Sequence, residues 1–137
     1  MSTRSRYGLR AMYELAINQG APIASKTIAQ RQGISDTYLE QLMASLRKAG
    51  LVISSRGAQG GYVLSRPANE MTIGEILSAL EGSTFITDCL DGDNCSNADF
   101  CPSKPVFEKI QRGIDDVLNS MTLWDMVTDS AKEEKKQ

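Results

Sequence analysis

The chain has 137 residues, 41% of them hydrophobic and 6% aromatic, which allows one modest core and includes no run of the roughly 20 apolar residues that span a membrane. The net charge of −2 is unevenly distributed, because residues 1–66 carry nine basic against three acidic side chains and residues 67–137 carry six against fourteen. We therefore expect a cytoplasmic protein without membrane association, whose basic half is the candidate surface for a polyanion.

Three helices are predicted in the basic half. Apolar side chains at helical spacing predict the first helix over residues 7–18. A short second helix is predicted over residues 25–32, with Ser25 as its N-cap and Gly33 as the residue that ends it. A third, amphipathic helix is predicted over residues 36–49. This order of helix, glycine-containing turn and helix is typical of the helix-turn-helix, whose second helix lies in the DNA major groove.

The third helix has a core face and a polar face. Ser35 is predicted to cap it, and its core face consists of Leu39, Leu42, Met43 and Leu46. On the polar face Gln41 can pair with adenine, Glu40 can accept from the cytosine amine, and Thr37 can contact a thymine methyl or a phosphate. The other predicted DNA-binding residues that precede the end of this helix are Arg4, Tyr7, Ser35, Tyr38 and Lys48. Because a polar helix face is usually only solvated, the interpretation depends on the segment that follows.

Two β-prone runs, residues 51–53 and 62–64, flank a glycine-rich stretch. They predict a β-hairpin, the wing of a winged helix-turn-helix domain over residues 1–82. An arginine at such a tip suits a narrow minor groove, so the tip residues Arg56, Gln59 and Gly60 are predicted to contact DNA. The plainer interpretations are a tight turn for the glycines and a solvated charge for the arginine.

Three cysteines at equal intervals, Cys89, Cys95 and Cys101, lie in an acidic segment predicted to be a loop over residues 83–103. An odd number of thiols cannot pair completely into disulfides. Structural zinc takes four ligands, usually in closely spaced pairs, so a carboxylate or water would have to complete the site. An iron–sulfur cluster, [2Fe–2S] or [4Fe–4S], can be held by widely spaced thiolates. Three unrelated small residues are the plain alternative, although cysteine is normally a buried residue and these stand among polar ones.

The acidic half is predicted to contain two further helical segments. Thr72 and Glu75 are expected to form a capping box before a short helix that packs on the winged domain. A long helix is predicted after Pro102 and Pro105, and its broad apolar stripe consists of Val106, Phe107, Ile110, Ile114, Val117, Leu118 and Met121. This dimerisation helix and a terminal turn occupy residues 104–128. The alternative is that the helix folds back on its own core.

The end of the chain is predicted to contain little further structure. Thr122 and Asp125 are expected to cap the terminal turn. Residues 129–137 are charged and lack aromatic side chains, so they are predicted to be a disordered tail. The predicted fold is therefore mainly α with a small β-hairpin, a winged helix-turn-helix domain followed by a long dimerisation helix.

The stretches SRYGLRAMYELA, ISDTYLEQLMASLRKAGLV, RGAQGGYVLSRP and MTIGEILSALEG, followed by the three cysteines, resemble the Rrf-type winged-helix regulators. The closest resemblance is to their iron–sulfur cluster regulator (IscR-like) branch, over residues 5–127. It implies a homodimeric transcription factor that binds a pseudo-palindromic operator in double-stranded DNA, with the cysteines holding a cluster that modulates binding. It also implies base-reading or base-discriminating roles for Glu40 and Gln41, with Thr37 and Tyr38 beside them at the groove and Arg56 in the minor groove.

The fourth cluster ligand departs from the family pattern. Regulators of this branch often have a histidine three residues after the last cysteine, where this chain has Lys104. Related nitric-oxide sensors use an acidic residue of the partner's amino-terminal helix, where this chain has Arg6. Because a protonated lysine cannot ligate iron, a local carboxylate such as Asp88, a residue of the partner chain and a small exogenous ligand stay open as alternatives.

Catalysis is not indicated, because the chain has no histidine to act as a base, no phosphate-binding loop and no nucleophile elbow. The first hypothesis is a cluster-regulated transcription factor. The second is a cluster-free repressor resembling the cysteine-metabolism regulators of the same family, against which the three cysteines argue. The third is an iron–sulfur electron-transfer or carrier protein with the helix-turn-helix as a scaffold, against which the positive charge of residues 1–66 argues.

Overall fold

The structure is a computed structural model that describes residues 2–18, 21–55, 60–82 and 102–136. Within these ranges the helices are α1 (Thr3–Ile17), α2 (Ser25–Gln32), α3 (Asp36–Lys48), α4 (Ile73–Glu81), α5 (Lys104–Ser120) and α6 (Leu123–Lys136). The strands β1 (Val52–Ser55) and β2 (Gly61–Leu64) pair antiparallel, and a short 3-10 helix covers Ala68–Glu70. The predicted class, mainly α with a small β-hairpin, is confirmed. Among the described helices, none combines the length and apolar character needed to cross a bilayer.

The ends of α2 and α3 follow from their capping residues. Gly33 ends α2 with a φ of 69°, in the left-handed region that glycine adopts without strain. Ser35 caps α3 as predicted, because its hydroxyl accepts a hydrogen bond from the Tyr38 N–H at 3.1 Å. The predicted cap of α2 is wrong: Ala24 is the N-cap, and Ser25 is the first helical residue. The Ser25 hydroxyl is engaged instead by a carboxylate on α3.

One hydrophobic core joins the helices and the base of the hairpin. Its largest fully buried apolar side chains are Met12, Ile28, Leu39, Leu42, Met43, Leu46, Met71, Ile76 and Leu123. The face of α3 predicted to be buried is buried at all four positions, so the opposite face is the one that meets solvent.

Helix α1 begins at Thr3, four residues before the predicted start, because Ser2 caps it. The Ser2 hydroxyl accepts from the Ser5 N–H at 3.3 Å, and the fully buried Ser5 hydroxyl donates to the Glu81 carboxylate at 2.6 Å. The Ser2 hydroxyl and, next, the Ser5 hydroxyl hold the pKa of Glu81 below its ordinary value. The start of α1 is therefore fixed to the end of α4.

The predicted capping box of α4 is confirmed. The Thr72 N–H donates to the Glu75 carboxylate at 3.0 Å, and the Glu75 N–H donates to the Thr72 hydroxyl at 3.1 Å. The Thr72 N–H, and next the Arg66 guanidinium at 3.1 Å, lower the pKa of Glu75. These contacts join α4 to the segment that follows the wing.

Helix α5 leaves most of its apolar stripe in solvent. The exposed fractions are 57% for Val106, 46% for Ile110, 37% for Ile114 and 56% for Val117. The other side of α5 is covered within the single chain: Gln111 is buried, Phe107 is half-buried, and Leu118 packs against the core. The alternative in which this helix folds back on its own core therefore applies to one side of the helix and not to the side that carries the four exposed residues.

Helix α6 differs from the prediction of a short turn and a disordered tail over residues 129–137, because it continues to Lys136. Its start is as predicted: the Thr122 N–H donates to the Asp125 carboxylate at 2.9 Å, and the Asp125 N–H donates to the Thr122 hydroxyl at 3.1 Å. Leu123 is fully buried and anchors the first turn. Once a turn is nucleated, alanine, lysine and glutamate propagate a helix well, and this propensity outweighs the charge pattern that suggested disorder.

The wing lies against the segment that precedes α2. The Tyr62 N–H donates to the Ile23 carbonyl at 2.9 Å, and the Ile23 N–H donates to the Tyr62 carbonyl at 3.1 Å. Gly61 permits this approach, because a Cβ at that position would lie 2.2 Å from the Ile23 carbonyl oxygen and 2.7 Å from the Ala24 nitrogen.

Gly61→Ala should displace the hairpin from Ile23 and destabilise the fold by about 1–3 kcal/mol, since backbone atoms cannot move aside as the end of a flexible side chain can. Urea unfolding followed by circular dichroism measures the change. Ser54→Ala, at an exposed position of the same hairpin, is the control and should change the free energy of unfolding by less than about 0.5 kcal/mol. A Gly61→Ala midpoint equal to that of the wild type would contradict the close approach.

Candidate nucleic-acid interface

The exposed face of α3 carries most of the predicted DNA-binding residues that the structure describes. Helical spacing and exposure place Thr37, Glu40, Gln41 and Lys48 along one side, opposite the buried leucines, and Ser35 is exposed at the start of the helix. Side chains of this kind supply donors and acceptors to base edges and a cation to phosphate. Helices α2 and α3, the turn at Gly33 and the hairpin have the arrangement of a winged helix-turn-helix.

Three predicted residues lie at the junction of helices rather than on the open face of α3. Arg4 is half-buried; its Nε donates to the Leu80 carbonyl at 3.0 Å and its Nη2 donates to the Ser45 hydroxyl at 2.9 Å. Arg4 therefore joins the end of α4 to α3. Tyr7 and Tyr38 meet edge to face, with ring centroids 6.3 Å apart and an interplanar angle of 87°. DNA contacts by these three residues stay a prediction.

Arg10 is a cation near this junction that the sequence analysis did not single out. Its guanidinium carbon lies 5.5 Å from the centroid of the Tyr7 ring, within the range of a cation–π contact. The two residues are three apart on α1, so helical spacing could have indicated the pair. Its exposed side chain adds positive charge close to the tyrosine pair.

Glu40 is the point where three elements of the domain meet. Its carboxylate accepts hydrogen bonds from the Ser25 hydroxyl of α2 and from the Tyr62 hydroxyl of β2, the latter at 3.0 Å. Burial and, next, the hydrogen bond to Glu40 raise the pKa of Tyr62 above its ordinary value, so the phenol keeps its proton and donates. Neither donor was predicted, because they lie 15 and 22 positions from Glu40 and no local spacing relates them.

Several predicted site residues lie outside the described ranges. Strand β1 ends at Ser55 and Gly60 precedes β2, so the predicted tip residues Arg56 and Gln59 fall in the gap between the described ranges. The three cysteines, Cys89, Cys95 and Cys101, also lie outside them. Among the side chains that are described, no group of three or more histidine, cysteine, aspartate and glutamate residues could hold a metal ion.

The cysteine segment connects α4 to α5, and its donor set fits an iron–sulfur cluster in type. Three thiols supply the ligands that such clusters prefer and leave one position for another donor. Lys104, at the position where the branch often has histidine, begins α5, and its Nζ lies 4.0 Å from the Glu108 carboxylate four residues later. An ammonium group has three donors and no lone pair, so this pairing offers no ligand to iron.

The chain is similar to known transcriptional regulators over most of its length. A family model described as "Rrf2: Iron-dependent Transcriptional regulator" matches residues 1–129. The HTH-type transcriptional regulator IscR of Pectobacterium carotovorum subsp. carotovorum is 39% identical over 128 residues, which are 93% of this chain and 78% of that relative.

Solved structures of two kinds of regulator share the fold. The structure of T. potens IscR is 45% identical to this chain in sequence and has a TM-score of 0.76. The match covers 95% of this chain and 87% of that one. The structure of CymR, the global cysteine regulator of B. subtilis, is 40% identical to this chain in sequence and has a TM-score of 0.76. The match covers 93% of this chain and 95% of that one. Because the two TM-scores are equal, the fold alone does not separate an IscR-like protein from a CymR-like one.

Proposed function

This chain belongs to the Rrf2 family of transcriptional regulators, as its motifs predicted, and on that premise we propose that it is a cytoplasmic, homodimeric regulator whose operator binding is modulated by an iron–sulfur cluster. Its target would be a pseudo-palindromic operator in double-stranded DNA. The observation that carries the proposal is the exposed polar face of α3 beside the wing, within a half of the chain that has a net charge of +6. Regulators of this family act by binding rather than by catalysis.

The α3 face would enter the major groove. Gln41 offers a donor and an acceptor suited to adenine, and Lys48 offers a cation to the phosphate backbone. Glu40 would act in the opposite sense, because a carboxylate repels phosphate and favours only a base pair that presents a donor. Arg56, at the predicted tip of the wing, would add a minor-groove contact.

A second copy of the chain would cover the stripe of α5. Four large apolar side chains of α5 that are exposed in the single chain, Val106, Ile110, Ile114 and Val117, lie on one side of a helix only part of which meets its own core. A two-fold interface there would present two α3 helices to major grooves about one turn, or a multiple of one turn, apart.

Cys89, Cys95 and Cys101 would hold the cluster, and the cluster would supply iron that responds to oxygen, nitric oxide or iron supply. The contribution of the described residues is a continuous set of contacts from the end of α4, which precedes this segment in the chain, to α3. Glu81, at the end of α4, is bound by Ser5, and Arg4 binds both the Leu80 carbonyl and Ser45 of α3. A change of conformation after residue 82 would thus act on α1 and on the recognition helix together.

A CymR-like cysteine regulator without a cluster is the second candidate, favoured by the 40% identical CymR structure with its TM-score of 0.76. The three cysteines favour the cluster-regulated protein instead. The relatives named above are regulators, which argues against an electron-transfer or carrier protein.

Selection from random duplexes tests the DNA-binding function. We expect the protein to enrich a pseudo-palindrome, and Arg56→Ala to weaken binding and to lower the salt dependence of affinity by about one phosphate-equivalent or less. Titration at two salt concentrations measures both effects. Lys136→Ala is the matched control, because it removes a cation from the acidic half. The DNA-binding proposal fails if no palindrome is enriched, and the wing contact fails if the two variants behave alike.

A further inference from the structure

The Glu40 carboxylate lies on the face of α3 that the proposed function assigns to base recognition, yet it is bound by the protein itself from two sides. The Ser25 hydroxyl of α2 donates to Oε1, and the Tyr62 hydroxyl of β2 donates to Oε2 at 3.0 Å. Each oxygen therefore has a donor on a different element. An exposed glutamate with no positioning requirement would be solvated at both oxygens.

Both donors are fixed by contacts that do not involve DNA. Tyr62 is half-buried and forms the two-way backbone bridge with Ile23, at 2.9 and 3.1 Å, which the absence of a side chain at Gly61 permits. Ser25 is the first residue of α2, directly after the Ala24 cap. Since the raised pKa of Tyr62 keeps the phenol protonated, its hydroxyl remains a donor to Glu40 across the physiological range.

We propose that Ser25 and Tyr62 are positioning residues that hold the Glu40 carboxylate to the protein and thereby widen the set of operators that the regulator accepts. The inference rests on the proposed function, in which α3 enters the major groove. There a free carboxylate repels phosphate and excludes base pairs that offer it no donor. Two protein hydroxyls compete with a cytosine amine for the same carboxylate oxygens. The outcome of that competition determines how strongly Glu40 discriminates between operators.

Removing a donor to Glu40 should change operator discrimination in the opposite direction to removing Glu40 itself. Glu40→Ala deletes the carboxylate, so discrimination relaxes and overall affinity stays or rises. Tyr62→Phe keeps the carboxylate and removes one of its two donors, so Glu40 becomes more available to the bases and phosphates. Discrimination then sharpens, and operators without a matched cytosine are bound more weakly. Ser25→Ala removes the other donor and acts in the same direction.

A double-mutant cycle on full-length protein tests the proposal. Dissociation constants are measured for the selected operator and for duplexes in which each of its cytosines is replaced. Tyr62→Phe should increase the ratio between the dissociation constants of unmatched and matched operators by about 3- to 10-fold, the range expected for loss of one ordinary hydrogen bond. In the Glu40→Ala background the same change should leave the ratio unaltered. Tyr13→Phe, which removes a hydroxyl from α1, is the matched control in both backgrounds.

The possible results distinguish the positioning role of Ser25 and Tyr62 from the proposed DNA-binding function. An equal loss of affinity on Tyr62→Phe with and without Glu40 would mean that the Tyr62 hydroxyl contacts DNA, and would overturn the positioning role. An unchanged ratio in both Tyr62→Phe and Ser25→Ala would also overturn it. In either case, enrichment of a palindrome by the wild type would still support the proposed function. A wild type that enriches no duplex would overturn the proposed function and the positioning role with it.

Discussion

Replacing Ile110 and Ile114 of α5 by glutamate together should convert the protein to folded monomers and lower operator affinity by about 100-fold or more. Their exposed fractions of 46% and 37% in the single chain mean that the change costs little in folding the monomer. In a two-fold interface the same change buries like charges in an apolar seam, which is strongly unfavourable. Loss of the second half-site contact removes the gain from bivalent binding. Sedimentation and operator titration measure the two effects.

The control for this prediction is Ile53→Glu. Ile53 of β1 is 52% exposed, so the substitution is chemically the same and lies outside α5. That variant should remain a dimer. A doubly substituted α5 that still sediments as a folded dimer would place the interface elsewhere. Loss of the helical circular dichroism signal would show instead that the stripe supports the fold of the single chain.

Cys95→Ala should abolish the colour, iron and sulfide of protein purified without oxygen, whereas the wild type should be brown. Removing one of three thiolates leaves two, which is too few protein ligands to retain a cluster against chelators and solvent. Absorption spectra with iron and sulfide analysis measure the loss. Ser96→Ala, at the neighbouring position and without a thiol, should keep the cluster.

The same experiment separates the two candidate regulators. Stoichiometric zinc without sulfide in the wild type would reject the cluster, whereas colour retained in Cys95→Ala would reject Cys95 as a required ligand. A colourless, metal-free wild type that still selects a palindrome would favour the CymR-like candidate. Folding of the variants, followed by circular dichroism, keeps a loss of colour distinct from a loss of structure.

The sequence by itself determined those features that depend on neighbours within about one helical turn or one hairpin. The spacing of Leu39, Leu42 and Leu46 identified the buried face of α3, and hence its exposed face, because helical periodicity is a local property. Ser35 as a cap and the Thr72–Glu75 box were likewise predicted, since each involves backbone groups three residues away. The hairpin followed from two short runs around glycines.

The tertiary structure alone decided which polar groups meet across the chain. Ser2 and Glu81 are 79 positions apart, Arg4 and Ser45 are 41 apart, and no pattern in the sequence relates either pair. Their contacts exist because α1, α3 and α4 enclose one core, and side chains at the rim of that core are then brought together wherever the helices end. Ser25 was predicted as a cap from its local position, but packing of α2 on α3 gave its hydroxyl a carboxylate partner instead. Local sequence preferences thus determined the helices, the hairpin and most of their caps, and long-range packing determined the hydrogen bonds between elements.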